Sequence, residues 1–403
     1  MILPHFITKT VHALESCGFE AFLVGGSVRD SLLGHSPTDW DITTSAEPKD
    51  VIRIFGEENC IPTGIKHGTI TLLTDNQPVE ITTYRIDGNY LDNRHPENII
   101  FSKNILEDLS RRDFTINAIA YNPKSGILDP FNGKSDLNNK IIRTVGKAEK
   151  RFSEDALRIM RALRFAATLD FEIEEDTLKA IHSCKGLLQN IARERLQAEL
   201  SKLLLSPSPQ KVLTECLDVF AEIFDVKYSF LLDIWCKNSQ SLKNCDAVLP
   251  LRLAVLLDGI SIKPPHILLR DLKFDNHTLK TVKTLSEHMN LSITPHPVLI
   301  KHMLSNVGED TFKLILKAQL AKSPEEFTTI KNTEAILNNI ISTNQCYSLK
   351  QLAVCGNDLM AMGITGCDIG KTLNALLYAV IEGKCENKKD SLVEYIIYIQ
   401  KGL

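Results

Sequence analysis

The spacing of apolar and polar positions changes along the chain, and each change marks an element. Apolar residues in "PHFITKTVHALESCGFE" recur at helical spacing, predicting an amphipathic N-terminal helix. "AFLVGG" (21–26) is a short apolar run that ends in two glycines, a buried strand. "SVRDSLLG" (27–34) returns to helical spacing, with Ser27 as the expected N-cap and Gly34 as the stop. "DWDITT" (39–44) reads as a second strand, and "SAEPKDVIRIFG" (45–56) as a helix with Ser45 as cap and Pro48 in its first turn. "GTITLLT" and "PVEITTYRI" are strands joined by "DNQ", hence a hairpin. "DGNYLDNRHPENIIFSKN" (87–104) has no period and reads as a long loop, a length that usually signals function or disorder. "RRDFTINAIAYN" (111–122) predicts a helix beginning near Asp113 and running into a strand.

Near Val145 the pattern changes. From "RFSEDALRIMRALRFAATL" (151–169) onward almost every segment has helical spacing. The fold class expected is α+β: a small mixed β-sheet head followed by all-helical domains. Weaker breaks fall at "SPSP" (206–209), "SIKPPH" (261–266) and "ITPHP" (293–297).

Composition narrows this only slightly. With 403 residues the chain exceeds one ordinary domain. Its net charge of −4 argues against non-specific polyanion binding, but leaves room for a local basic groove. The ten cysteines are scattered, without a C-x-x-C pair, and are expected to be reduced thiols of a cytoplasmic protein, most of them filling cores. The N-terminus lacks the cationic region and cleavage site of a signal peptide. The longest apolar run, "AVLPLRLAVLLDGI", is interrupted by Pro250, Arg252 and Asp258, so no membrane span is expected.

Chemistry enters at five places. In "LVGGSVRD" a strand meets a helix through two glycines, a geometry that lets a phosphate approach the backbone and the helix N-terminus; Gly26 and Arg29 are the candidates. The alternative is an ordinary tight turn with a surface arginine. In "TDWDITT" residues i and i+2 of a strand share a face, so Asp39 and Asp41 present two carboxylates together while Trp40 points away. Paired carboxylates repel unless a cation sits between them, and carboxylates plus nucleotide phosphates are a magnesium environment. Glu80, on the hairpin strand, is a third carboxylate if that strand lies beside the Asp39–Asp41 pair; a cross-strand ion pair is the other reading. Arg112 can reach a triphosphate or pair with Asp108 or Asp113. On a helical wheel started at Asp155, Arg158, Arg161 and Arg164 form a stripe opposite an apolar arc. Asp155 and Arg158, at i and i+3, set an acceptor beside a forked donor. Such a pair matches the amine and ring nitrogen of cytosine and adenine and leaves unpaired groups against guanine and uracil; it is equally an intrahelical salt bridge. "GITGCDIGKT" lacks the first glycine and the preceding strand of a P-loop.

Taken in order, "LVGGSVRD", "TDWDITT", "RRDFTINAIAYN", "EDALRIMRALRFA" and "RERLQAELSKLL" resemble class II tRNA nucleotidyltransferases, the CCA-adding enzymes of the DNA polymerase beta-like superfamily. "GNDLMAMGITGCDIGKTL" and "LLYAVIEGK" extend the resemblance more loosely into the C-terminal half. The resemblance implies a catalytic head (1–145), a neck that recognises the base (146–205), a body (206–300) and a tRNA-binding tail (301–403). It implies magnesium, in a two-metal site, on Asp39 and Asp41, with Glu80 as third carboxylate. Gly26, Arg29 and Arg112 would hold phosphates, and Asp155 and Arg158 would read C or A, with Arg161 and Arg164 lining the same pocket. The loop after Arg85 would be the family's flexible loop. The partners implied are CTP, ATP and the acceptor stem and elbow of tRNA, with no membrane and no obligate protein partner, in the cytoplasm. No His-Asp dipeptide is present, so the phosphohydrolase domain of some longer relatives is not expected. Enzymes adding only A and bacterial poly(A) polymerases are the alternatives within the class; CC-only enzymes typically lack the loop that this chain keeps. Outside it stand a non-catalytic tRNA-binding protein and a small-molecule nucleotidyltransferase.

Overall fold

Alternating apolar positions in the first third of the chain build a seven-stranded mixed sheet. The computed structural model describes residues 1–88, 99–226, 228–261 and 263–400, in two compact units, Met1–Asp233 and Ile234–Leu403. Helix α1 (His5–Ser16) buries Ile7, Val11 and Leu14, one stripe at helical spacing. There follow β1 (Ala21–Val24), α2 (Gly26–Leu32), β2 (Asp41–Thr44), α3 (Pro48–Phe55), β3 (Cys60–Gly64), β4 (Thr69–Thr74), β5 (Gln77–Thr83), β6 (Arg85–Asp87) and β7 (Ile99–Phe101). Then come α4 (Ile105–Ser110), β8 (Ala120–Asn122), β9 (Gly126–Leu128), α5 (Gly133–Asn139), β10 (Ile141–Ile142), α6 (Ala148–Glu154), α7 (Leu157–Leu169), β11 (Glu172–Ile173), α8 (Glu175–Cys184) and α9 (Arg193–Leu204).

The sheet runs β3-β4-β5-β2-β1-β8-β9. Its pairs are antiparallel except β2 with β5. A parallel pair needs a crossover, and α3, β3 and β4 supply it. That crossover sets Asp41 directly opposite Glu80. The β4–β5 hairpin closes through Asp75 and Asn76, both at positive φ (50° and 59°), the turn whose twist suits two strands. Under the sheet, Val24, Tyr84, Ile105, Leu109 and Ala120 form one buried cluster.

Several local expectations are corrected. Gly25, not Ser27, caps α2, and the Ser27 hydroxyl donates to the Val24 carbonyl at 3.0 Å instead. Glu47 caps α3 through a reciprocal box with Asp50, while Ser45 Oγ accepts the Glu20 N–H. No α-helix begins near Asp113: α4 ends before it, and the segment Thr115–Asn117 is a single 3-10 turn. Within the long loop, β6 and β7 pair as its arms; its middle, 89–98, lies outside the described residues. Of the ten cysteines, all free thiols, only Cys60, Cys216, Cys245 and Cys346 are buried, so most are not core fillers.

The second unit is helical throughout its described residues. The proposed breaks coincide with helices that start on proline: Pro209–Glu215 in the first unit, and Pro265–Asp271 and Pro297–Val307 in the second. Proline suits the first helical position because its missing N–H would be unbonded there anyway. Residues 370–372, the Gly-Lys-Thr of the rejected P-loop, lie inside helix Cys367–Ile381. Among the described residues no helix is long and apolar enough to cross a membrane.

Candidate active site

The site begins where β1 runs out. Gly25 has φ 71° and ψ −135°, a conformation closed to residues with a side chain. A Cβ there would stand 3.4 Å from Asp41 Oδ2 and 3.5 Å from Arg112 Nη1, so the bare backbone leaves a gap between a carboxylate and a guanidinium. Asp41, Glu80, Thr69, Thr82, Arg111 and Arg112 line a cavity of about 240 Å³ at this point.

The electrostatics of that cavity are unbalanced. Burial first, then the Glu80 charge, push the Asp41 carboxyl up to about 6; Arg112 pulls the other way and Asp39 adds a smaller push. Asp39 lies outside β2, in the bend before it, and is exposed, while Trp40 is buried. Asp39 therefore stands just before the strand and Asp41 is its first residue, with the Asp39 charge still acting on the Asp41 carboxyl. Behind them Asp108 is fully buried and takes Arg111 on Oδ1 (2.7 and 3.0 Å) and Arg112 on Oδ2 (3.2 Å). Burial alone would raise the Asp108 carboxyl, but the two arginines outweigh it and hold it below its ordinary range. The salt bridge open to Arg112 in the sequence is thus made, and it still leaves the buried Arg112 Nε–H without a partner.

These features fit a divalent cation with phosphates: carboxylates short of positive charge, a gap beside them, and an unused buried donor. Among the described residues no three His, Cys, Asp or Glu side chains gather tightly enough to hold a cation alone. A cation here therefore leans on substrate oxygens. A larger cavity of about 790 Å³, lined by His182, Lys185, Asp218 and Glu222, has no comparable phosphate cradle, and size alone does not mark the site.

Arg29 is not the surface residue of an ordinary turn. Its Nε donates to Asp30 and its Nη1 to Asn117 Oδ1, both at 2.8 Å, and its guanidinium lies 5.0 Å from the Phe165 ring centre. Arg161 and Arg164 pack on the same ring at 5.4 and 4.0 Å. Both are also paired, Arg161 with Asp113 Oδ2 (2.6 and 2.8 Å) and Arg164 with Glu199 (2.6 Å). Burial works to raise the Asp113 carboxyl, yet Arg161 and Asn117 together hold it well below the usual range. The arginine stripe of α7 is therefore not a solvated face.

At Asp155 the expected helix is broken. The residue is extended (φ −140°, ψ 103°) between α6 and α7, so the helix is interrupted there, although the Asp155 carbonyl still accepts the Arg158 N–H at 3.0 Å. Asp155 pairs with Arg195 at 3.0 Å, and Arg158 pairs with Glu154 at 2.8 Å. The Arg158 Nη2 also donates to the Arg111 carbonyl at 2.9 Å, tying the junction to the cavity that Arg111 lines. The structure thus gathers Asp41, Glu80 and Arg112 in one cavity, and Arg29, Arg161 and Arg164 around one ring. Asp155 and Arg158 sit at the helix junction. The sequence reading missed Asp113, Glu154, Phe165 and Arg195. Glu154 was detectable as the residue four before Arg158; Arg195, forty positions from Asp155, carried no local signal.

Comparison with known proteins places the chain in a family. Residues 21–143 match the family model of the poly A polymerase head domain, 170–216 that of the probable RNA and SrmB-binding site of polymerase A, and 252–396 that of a putative tRNA nucleotidyltransferase domain 2. The CCA-adding enzyme of Streptococcus thermophilus is 35% identical, over 98% of this chain and 97% of its own. That of Ligilactobacillus salivarius is 37% identical, over 97% and 96%. The crystal structure of the Bacillus stearothermophilus CCA-adding enzyme in complex with CTP superposes with a TM-score of 0.81 at 31% identity, covering 100% of both chains. The chain belongs to the CCA-adding enzymes, a family of tRNA nucleotidyltransferases.

Proposed function

We propose that this chain adds C, C and A to the 3′ end of tRNA from CTP and ATP, releasing pyrophosphate, at the cavity between Asp41 and Arg112. The observation that carries the reading is the juxtaposition of a charge-starved carboxylate pair with a side-chain-free turn and an unused arginine donor. Asp39 and Asp41 would hold magnesium, which when bound would supply neutralisation of the charge that develops during the transfer. Glu80 acts on Asp41 across the strand pair as the third carboxylate. Gly26 and the bare turn at Gly25 admit the triphosphate close to the backbone, and Arg112 and Arg29 hold its oxygens. Positioning and fixed charge account for most of the rate.

Base choice belongs to the α6–α7 junction. Asp155 accepts from the exocyclic amine common to cytosine and adenine, and Arg158 donates to the neighbouring ring nitrogen. The contacts Arg158 makes to Glu154, Arg151 O and Arg111 O use three of its five N–H groups, leaving Nε–H and one Nη2–H for a base. Arg161 and Arg164 shape that pocket from α7. We assign 1–145 as head, 146–205 as neck, 206–300 as body and 301–403 as tail, the last two gripping tRNA, in a cytoplasmic enzyme.

Asp41→Ala is expected to abolish incorporation of both nucleotides while tRNA binding, followed by gel shift, stays near wild type. Extension of tRNA by that variant would refute the site. Offering tRNA ending at the discriminator base, at C or at CC, with CTP and ATP separately, distinguishes full CCA addition from A-only and poly(A) synthesis.

A further inference from the structure

The carboxylate of Asp155 is gripped by an arginine outside the helix that carries Arg158. Arg195, near the start of α9, donates Nη2 to Oδ2 at 3.0 Å and Nη1 to Oδ1 at 3.4 Å. The Leu157 N–H donates to Oδ1 at 3.1 Å. A carboxylate offers about four lone-pair directions, so these contacts leave about one, and a two-pronged guanidinium fixes the plane in which it lies. Arg158 meanwhile has its own anchors in Glu154 and two backbone carbonyls.

We propose that Arg195 is the positioning residue that holds Asp155 as an oriented acceptor, and thereby enforces rejection of UTP and GTP. The inference rests on the assignment of Asp155 and Arg158 as base readers. An acceptor aimed at the amine of C or A meets a carbonyl oxygen in U or G, and the two acceptors repel. Without Arg195 the Asp155 carboxylate keeps only the Leu157 N–H on Oδ1 and can turn about it, since among the described residues no other group holds Oδ2. Arg158 can then donate to a carbonyl unopposed. A purely architectural role for the pair is less economical. The contact is partly open, at 20% and 27% side-chain exposure. The join between α7 and α9 already has the buried Arg164–Glu199 pair and the apolar face of Leu196, Leu200 and Leu203.

The test is steady-state incorporation by the full-length enzyme, with CTP against UTP on tRNA ending at the discriminator base and ATP against GTP on tRNA ending in CC. Four variants are compared: Arg195→Met, Arg195→Lys, Asp155→Ala and the Met/Ala double. Arg195→Met is expected to lower the CTP:UTP and ATP:GTP ratios of kcat/KM by about tenfold or more, a loss expected when a hydrogen-bonding site is disarmed. Arg195→Lys recovers part of the ratio. The double variant is no worse than Asp155→Ala alone, because the arginine acts through the aspartate. If Arg195→Met slows all four nucleotides alike with the ratios kept, while Asp155→Ala collapses them, Arg195 is only structural and the inference falls. Ratios that survive Asp155→Ala overturn the base-reading assignment itself.

Discussion

Burial and the Glu80 charge hold the Asp41 carboxyl near 6, above its ordinary 3.8. Between those values the folded protein keeps a proton that the unfolded chain releases, so stability falls as pH rises through that window. Above it the full penalty persists. One pKa unit corresponds to about 1.4 kcal/mol, which bounds the effect at about 3 kcal/mol in metal-free enzyme. Asp41→Asn removes the charge. By calorimetry without divalent cations it should melt higher than wild type at pH 8, with the margin shrinking toward pH 4, while incorporation drops by about a hundredfold or more. A variant that melts lower at pH 8 would mean that Asp41 is already compensated. Asp113 is the opposite case, a carboxylate whose partners prefer it ionised, and it belongs to the scaffold.

At the scale of elements, α2 and α7 meet on Phe165. Arg29 comes from one helix, Arg161 and Arg164 from the other, and Phe114 closes the ring's edge at 5.7 Å. Phe165→Leu keeps apolar filling but removes the π face. We expect a loss of about 1–2 kcal/mol in stability and a raised KM for CTP and ATP alike, with the choice among bases intact. A change in that choice would instead place the ring in base recognition. What the sequence revealed at this scale follows the same division. Periodicity separated the apolar arc of α7 from its arginines, while Glu80 could be named as a third carboxylate only on the condition that its strand lay beside the Asp39–Asp41 pair. It could not show that Asp39 stands before the strand, nor that the helix breaks at Asp155. Those are decisions of one or two residues, made by side chains such as Arg195, whose partner lies forty positions away.

For the whole molecule, the shift from mixed to helical spacing near Val145 was readable because it spans hundreds of residues. The breaks at 206–209, 261–266 and 293–297 were marked by their prolines, but that a proline in each starts a helix was not read. The arrangement of the catalytic groups was not, since it depends on a crossover: β2 and β5 are neighbours only because α3, β3 and β4 loop out between them. Length and a net charge of −4 say little about a protein that handles polyanions. Under the proposed function the positive charge that meets the nucleotide sits on a few arginines, Arg29, Arg112 and Arg158, each oriented by a specific acid or carbonyl.

One consequence reaches into genetics. Gly25, in the first unit, and Gly366, in the second, cap their helices with nearly the same backbone, φ 71° and ψ −135° against φ 63° and ψ −136°. Alanine at either costs about 1–3 kcal/mol of backbone strain. Around Gly366 a new methyl meets nothing within 4 Å, whereas at Gly25 it enters the gap between Asp41 and Arg112. Gly366→Ala should therefore behave as a temperature-sensitive allele: normal incorporation when cool, failure when warm. Gly25→Ala should be a loss-of-function allele at every temperature, even with folded protein by circular dichroism. Full activity of Gly25→Ala at low temperature would show that the gap beside Asp41 is not used. Nearly equal torsions at the two glycines thus leave opposite marks on how the gene can drift.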